Sequence, residues 1–559
     1  MMDAGCRKFS EHRNTRHPAS SLYINFNKTM YNKGLYHDWL PKPVQLLLII
    51  LLLTVVMPLG GVYTGNISYM VGGTGALSEY YIWANYASTI GMGAAMPIVL
   101  RLKMRFKIRD KITFVLMLLG ILNYINATTS EPAVIIGSSL LIGFCKMIVS
   151  IELFLPVMAM IGNRGMFYGV FYAFVLMVNQ LAGYWAVEVS VLYNWQQFFI
   201  IISVLCFALA LIQWIFMHNQ YFALKVPLHY IDWLSILLFV SAFMFSAYVF
   251  AFGKQQDWLN STKIINAGIA AFVSFALLVT RQTHLKRPYL SFKIFSRNNV
   301  MHGLFMLLCL GMFMATASIQ NIFAVGVLGY DQLTNARLNL MMIPGILLAG
   351  TIAVFWFKKE MPLKMYIFSG FAAMLGYSVI MYFSMVLEFN YDNWYLPLFL
   401  KGFGMTALFI SVWFYTLDKL ELDDMLAAIG LALVWRTFLT VGLFSAVFSW
   451  FQYRFQIESL GNLAVYMDGM TVTSRNVAAN LKTIQLNAII AANKKIFGYI
   501  VVAGFGILVY VLTHHFGRER FISARFVRLL SGKSVIARRR LMERKRLSEE
   551  IKDAAGTAL

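Results

Sequence analysis

The stretch LVWRTFL, Leu433–Leu439, sets an arginine in the middle of an apolar run that extends from Gly430 to Phe448. On a helix in water such a residue belongs to a solvated face. In hydrocarbon it needs a bundle interior or an aqueous cavity. Which solvent surrounds this helix therefore decides the fold, and the composition answers. Hydrophobic residues make up 59% of the 559-residue chain and charged ones 13%, with a mean hydropathy of +0.66. Soluble domains are roughly half apolar and a quarter charged. The chain reads as a polytopic membrane protein.

Working outward from Arg436, apolar runs long enough to cross a bilayer, about 20 residues each, are expected near 44–63, 79–100, 112–127, 133–161, 165–190, 197–217, 231–252, 263–280, 298–327, 336–357, 363–387, 395–417, 424–453 and 495–515. This predicts an all-α membrane protein with fourteen spans. The net charge of +22 is concentrated in the two tails and the even-to-odd loops, above all in RLKMRFKIRDK, Arg101–Lys111, and ARRRLMERKR, Ala537–Arg546. Positive charge of this kind marks the cytoplasmic side, so both termini are expected there, with residues 1–43 a cytoplasmic arm rather than a signal peptide. The location of the charges beside spans fits anionic lipid headgroups and gives no reason to invoke nucleic acid.

Enzyme chemistry finds no footing. SGKS, Ser531–Ser534, lacks the upstream glycine of a phosphate loop, HExxH is absent, and His514 and His515 sit at the end of the last expected span. Cys6, Cys145, Cys206 and Cys309 show no CxxC spacing, so no metal and no cofactor is indicated. No soluble stretch is large enough for a nucleotide-binding domain, so any transport must draw on another gradient.

Five Lys, Arg, Asp or Glu residues fall inside expected spans away from their first and last two positions: Lys146, Glu152, Glu188, Lys401 and Arg436. Such residues are functional candidates by default. At 1.5 Å per residue, Glu152 lies roughly 14 Å, Lys146 roughly 22 Å and Arg436 roughly 20 Å from the cytoplasmic ends of their spans. Glu152 is thus expected among Lys146, Arg436 or both, either as a proton-coupling group or as a static ion pair fixing helix register. Glu188 reads as interfacial. Lys401 is expected nearer the outer cavity, where it would favour anionic substrate groups. LIGFCKM (Leu141–Met147) and FLKGFGM (Phe399–Met405) share a Gly-Phe pair beside a lysine and a methionine, a short internal echo of the kind repeat-built transporters carry. Asn85, Tyr86, Asn179 and Gln180 add uncharged hydrogen-bonding positions as substrate-cavity candidates. The 46 Phe and 32 Met suit surfaces that accept varied apolar ligands.

Between the last two spans lies Arg454–Asn493, in which Val477, Leu481, Ile484, Ala488 and Ala491 follow helical spacing. This predicts an amphipathic helix outside the membrane or an extension of the last span, packed on its own protein or docking a partner.

Taken together, YNWQQFF (193–199), Asp232, GKQQDWLNS (253–261), RPYLSFKIFSRNN (287–299), LGYDQLTNARLNLMMIPG (328–345), Arg436 and LNAIIAANKKIF (486–497) make the chain resemble the fourteen-span drug:proton antiporters of the major facilitator superfamily, the EmrB/QacA type, in its Bacteroidetes-like branch. The resemblance implies two six-helix bundles (44–217 and 298–515), two inserted helices within 218–297, a basic cytoplasmic tail (516–559) and alternating access. It also implies an inner-membrane location and export of hydrophobic or amphipathic compounds by proton antiport. A periplasmic adaptor and a TolC-like outer-membrane channel would be reached through 454–493. The chain departs from the family at several places. Met104 and Lys107 stand where its first loop motif has Asp and Gly, only Gly183 remains of the antiporter motif, Gly61 replaces an acid, and Lys146 lies near a missing arginine. Glu152, with Lys146 and Arg436, is the substitute proton-coupling candidate. A transporter of one endogenous solute or lipid, and a transport-inactive scaffold or sensor, are the rival readings.

Overall fold

A computed structural model of the chain describes residues 35–161, 163–220, 231–285, 288–290, 292–418, 420, 422–464, 474–514 and 516. The arm up to residue 34 with Cys6, residues 465–473, His515 and the basic tail from 517 lie outside the described residues. The described part is helical, with a single isolated bridge between Tyr36 and Met217.

The first expected span is α1, Lys42–Val56, and the second is α2, Ser78–Arg105. They are followed by α3, Ile108–Thr128; α4, Pro132–Ile161; α5, Arg164–Leu192; and α6, Trp195–Phe216. A pair, α7 (Trp233–Phe252) and α8 (Thr262–His284), precedes α9, Asn298–Val327, and α10, Gln332–Lys358. Then come α11, Leu363–Ser384, and α12, Tyr395–Thr416. Helix α13 runs through Leu422–Val434, a π-helical turn at Trp435–Gly442, and Leu443–Ala464, and α14 is Ser474–Thr513.

Twelve of these, α3 to α14, are long and apolar enough to cross a membrane, so the chain is a multi-pass membrane protein. The first two expected spans differ for local reasons. Pro58, Gly60 and Gly61, the last at φ +73°, end α1 after 15 residues. Helix α2 is 28 residues long, but Glu79, Asn85 and the basic run from Arg101 dilute its hydropathy. Leu47, Phe114, Phe272 and Val502 point away from all protein, as lipid-facing side chains do. Cys145, Cys206 and Cys309 are free and buried.

The helices repeat one packing scheme. In the first half α2 lies along α4 and α3 along α6; in the second α10 lies along α12 and α11 along α14. Glycines mark the crossings at matching positions. A Cβ on Gly91 would fall 2.0 Å from the Leu140 carbonyl oxygen, and one on Gly143 would fall 1.8 Å from that of Ser88. In the second half a Cβ on Gly345 would fall 2.2 Å from the Phe399 oxygen, and one on Gly402 would fall 2.2 Å from that of Met342. Each glycine meets the carbonyl three residues before its partner glycine, in both halves. Small residues let helix backbones touch, and here they do so twice in one register.

The start of α7 is tied to the end of α8. Asp232 caps α7 by accepting from the Ser235 amide, and Arg281 donates Nε and Nη2 to its two oxygens at 3.1 and 2.9 Å. Burial raises this carboxyl's pKa, but the hydrogen bonds from Arg281 and Ser235 outweigh it and hold the group below the usual value of 3.8. A carboxyl depressed in the folded state contributes stability above its unfolded pKa and loses it as pH falls through the lower folded value. Asp232→Ala is therefore expected to cost about 1 kcal/mol at pH 7. The difference from wild type should vanish in melts taken well below pH 3.8.

Candidate functional site

The two halves meet through α5 against α10 and α2 against α13. Toward the end that carries the α2–α3 loop the contact is dry and tight. A Cβ on Gly169 would lie 3.1 Å from Ala353 Cβ, one on Gly350 would lie 2.4 Å from Ala173 Cβ, and one on Gly430 would lie 2.9 Å from the Gly93 oxygen. Beside this seam the halves enclose a cavity of about 270 Å³, lined from the turn after α1, α2, α4 and α5 on one side and from α12, α13 and the residue after α12 on the other. A second, more polar cavity of about 340 Å³ continues it between α5 and α10, sharing Asn85 and Asn179 and adding Gln180, Gln332, Asn335 and Asn339.

Lys146 and Arg436 both line the first cavity. The break after α1 frees the Leu59 carbonyl, which accepts from Lys146 Nζ at 2.8 Å. Arg436 sits on the π-helical turn, a distortion often found at functional positions. Its guanidinium lies 4.6 Å over the Phe409 ring, and Nε and Nη2 both reach the Thr437 hydroxyl, at 3.3 and 3.2 Å. Tyr172 stacks near Phe409 and Trp413 at 6.3 and 6.2 Å, which builds an aromatic wall beside the arginine. Among the described residues, no carboxylate lines either cavity.

Glu152 is elsewhere. It faces Lys103 Nζ at 3.2 Å and is hydrogen-bonded by Lys111, all three groups being buried. The expected partnership with Lys146 or Arg436 is thus replaced by one with two lysines of the basic run. The reason is that α2 does not stop at residue 100 but carries Lys103 on its last turns, while Lys111 falls on the first turn of α3. Depth along α4 alone does not register helices that overshoot a loop. Glu188, half-buried near the end of α5, accepts from the Tyr184 hydroxyl at 3.1 Å.

Of the cavity candidates, Asn85, Asn179 and Gln180 are at the cavities. Tyr86 instead packs on Phe438, 5.9 Å between rings, and against Gly442. Lys401 is enclosed within the second half, where it donates to Gln320 Oε1 at 2.9 Å and lies 4.9 Å over the Tyr377 ring. It lines neither cavity. The aromatic wall of Tyr168, Tyr172 and Trp413 was not singled out in the sequence; its trace there is the four-residue spacing of the two tyrosines in FYGVFYAF, Phe167–Phe174.

No protein-family model matches the chain, and no curated protein does. Among solved structures, similarity is found to the nucleoside transporter NupG, at 14% identity and a TM-score of 0.47 over 84% of this chain and 100% of that one. A bacterial homolog of the human lysosomal transporter Spinster gives 12%, 0.48, 85% and 97%. The human organic anion transporter MFSD10 gives 12%, 0.45, 83% and 96%.

Proposed function

We propose that the protein is a secondary transporter of the major facilitator kind, working by alternating access and exporting amphipathic compounds in exchange for protons. One observation carries this: a cavity holding two half-buried cations lies between two halves that share a packing scheme, beside a tight small-residue seam. The residues 44–217 and 298–515 are then the two bundles, with α7 and α8 inserted between them. The positive-inside rule puts the seam, both termini and the basic loop on the cytoplasmic side of the inner membrane. Lys103, Lys111 and Glu152 meet where α2, α3 and α4 of the first half converge, at the end of the bundle that carries the α2–α3 loop. Glu152 is accordingly the group through which proton exchange would act, with Lys146 and Arg436 at the substrate.

The outer segment supports a partner. Helix α14 is 40 residues long, about 60 Å, twice the roughly 30 Å of a bilayer core. With the end of α13 it forms a projecting pair, held by Glu458 and Lys495 at 3.0 Å and by Lys495 over Phe455 at 4.2 Å. The part of this pair that falls within 454–493 is the proposed contact for a periplasmic adaptor and, through it, a TolC-like channel.

The test is a disulfide across the seam. With the native cysteines replaced, Gly169→Cys and Ala353→Cys place their Cβ atoms 3.1 Å apart, a few tenths of an ångström inside the range of about 3.5–4.5 Å a disulfide takes. In an efflux-deficient host, cells expressing the reduced pair are expected to accumulate less of a fluorescent lipophilic cation or a bile-acid-type anion than empty-vector cells. Oxidation should abolish the difference and reductant restore it. Equal transport by the oxidised and reduced protein rules out alternating access.

A further inference from the structure

The cavity at the junction holds two cations, Lys146 and Arg436, and its charge is not balanced by the protein. The ion pairs found among the described residues include neither group. Lys146 spends one of its three donors on Leu59, and Arg436 spends two of five on the single Thr437 hydroxyl. Their other donors meet no acceptor among the described residues. The acids on the neighbouring helices are engaged elsewhere, Glu152 with Lys103 and Lys111 and Glu188 with Tyr184. Both groups are half-buried; a charge drawn partly out of water without a counter-charge is costly, and two on one cavity repel each other. An anion between them removes both costs. A guanidinium offers paired N–H groups that match carboxylate, sulfonate and phosphate oxygens, and the rings of Tyr168, Tyr172 and Trp413 supply a flat apolar wall beside it.

We propose that this cavity takes amphipathic organic anions, the acidic group lying between Lys146 and Arg436 and an aromatic or apolar body against Tyr168, Tyr172 and Trp413. The inference deepens the transporter reading by naming the substrate class, and it rests on that reading for its role. Lipophilic cations, on this view, are excluded from the cavity by the same two charges.

Three fluorescent probes of one skeleton test it: dansylglycine (anion), dansylethylenediamine (cation) and dansylamide (neutral). Their saturable binding to the purified full chain in phosphatidylcholine nanodiscs is measured for wild type, Lys146→Gln, Arg436→Gln and Arg436→Lys. Wild type is expected to bind the anion at least about tenfold more tightly than the cation. Each Gln variant should lose about tenfold or more of the anion affinity, with Arg436→Lys between, because a charge-assisted pair is removed. Dansylamide should change little, which reports an intact cavity; if a variant loses dansylamide as well, the wild-type preference alone decides. Equal or tighter binding of the cation, no saturable binding of dansylglycine, or anion affinity indifferent to Arg436→Gln with dansylamide retained overturns the inference. Anion-selective binding with transport insensitive to the seam disulfide removes alternating access and leaves this site standing. Disulfide-sensitive transport of the cation without the anion does the reverse.

Discussion

Glu152→Ala is expected to destabilise the protein by about 3–5 kcal/mol, the usual cost of breaking a buried ion pair from one side. The carboxylate is 1% exposed and its two lysines 4% and 6%, so water cannot take its place without opening the junction of α2, α3 and α4. Removing it leaves two ammonium groups in one dry pocket without the charge that holds them together. The whole triad is a different matter, because replacing a buried charge network by apolar groups of similar volume is often neutral or stabilising. The triple variant Lys103→Met, Lys111→Met, Glu152→Met is therefore expected to melt near the wild type, far above Glu152→Ala. Cys145, Cys206 and Cys309 are buried free thiols, so a thiol-reactive fluorophore reads the unfolding directly. Similar melting of wild type and Glu152→Ala would show that the three groups do not form this cluster. Transport separates structure from coupling. If Glu152 acts only as a strut, the triple variant still exports; if protons pass through it, the triple variant is stable and uncoupled from an imposed pH gradient.

The membrane class was legible because hydropathy is a sum over many residues, and no tertiary detail can reverse an apolar fraction of 59%. Helix positions followed for the same reason. What escaped were the features that depend on how far a helix runs past its apolar part. Lys103 reads as a loop residue until α2 is seen to continue to Arg105, and the missing five residues carry one of the two partners of Glu152. The ionisable residues themselves were visible as exceptions to hydropathy, but not which way they face. Lys146 and Arg436 reach one cavity, while Lys401, equally deep in an apolar run, turns into its own bundle and is satisfied by Gln320. The echo between LIGFCKM and FLKGFGM was legible, and its meaning was not. The glycine contacts of the two crossings share one register, so Gly143 matches Gly402. Lys401 then corresponds to Ile142 and Lys146 to Met405, and the shared feature is the helix crossing rather than the lysine.

That crossing yields the sharpest test of the repeated fold. Gly143→Val and Gly402→Val are each expected to destabilise the protein by about 3 kcal/mol or more, beyond the common range for overpacking. A Cβ at these positions would stand 1.8 Å from the Ser88 oxygen and 2.2 Å from the Met342 oxygen. The obstacle is backbone on a packed helix, so no rotamer relieves it and two helices must separate along their length. Even alanine, which elsewhere gains up to about 1 kcal/mol over glycine within a helix, should destabilise here. Gly137 supplies the control on the same helix, since a Cβ there meets nothing within 4 Å. Gly137→Ala is expected to be neutral or mildly stabilising, with melting followed by the same thiol probe. Because the two crossings share one register, Gly143→Ala and Gly402→Ala should also produce losses of similar size although they lie in different halves. A tolerated Gly143→Ala would remove the close approach of α2 and α4. Tolerance of Gly402→Ala alone would mean that the second half packs α10 on α12 differently, and the equivalence of the halves on which alternating access depends would go with it.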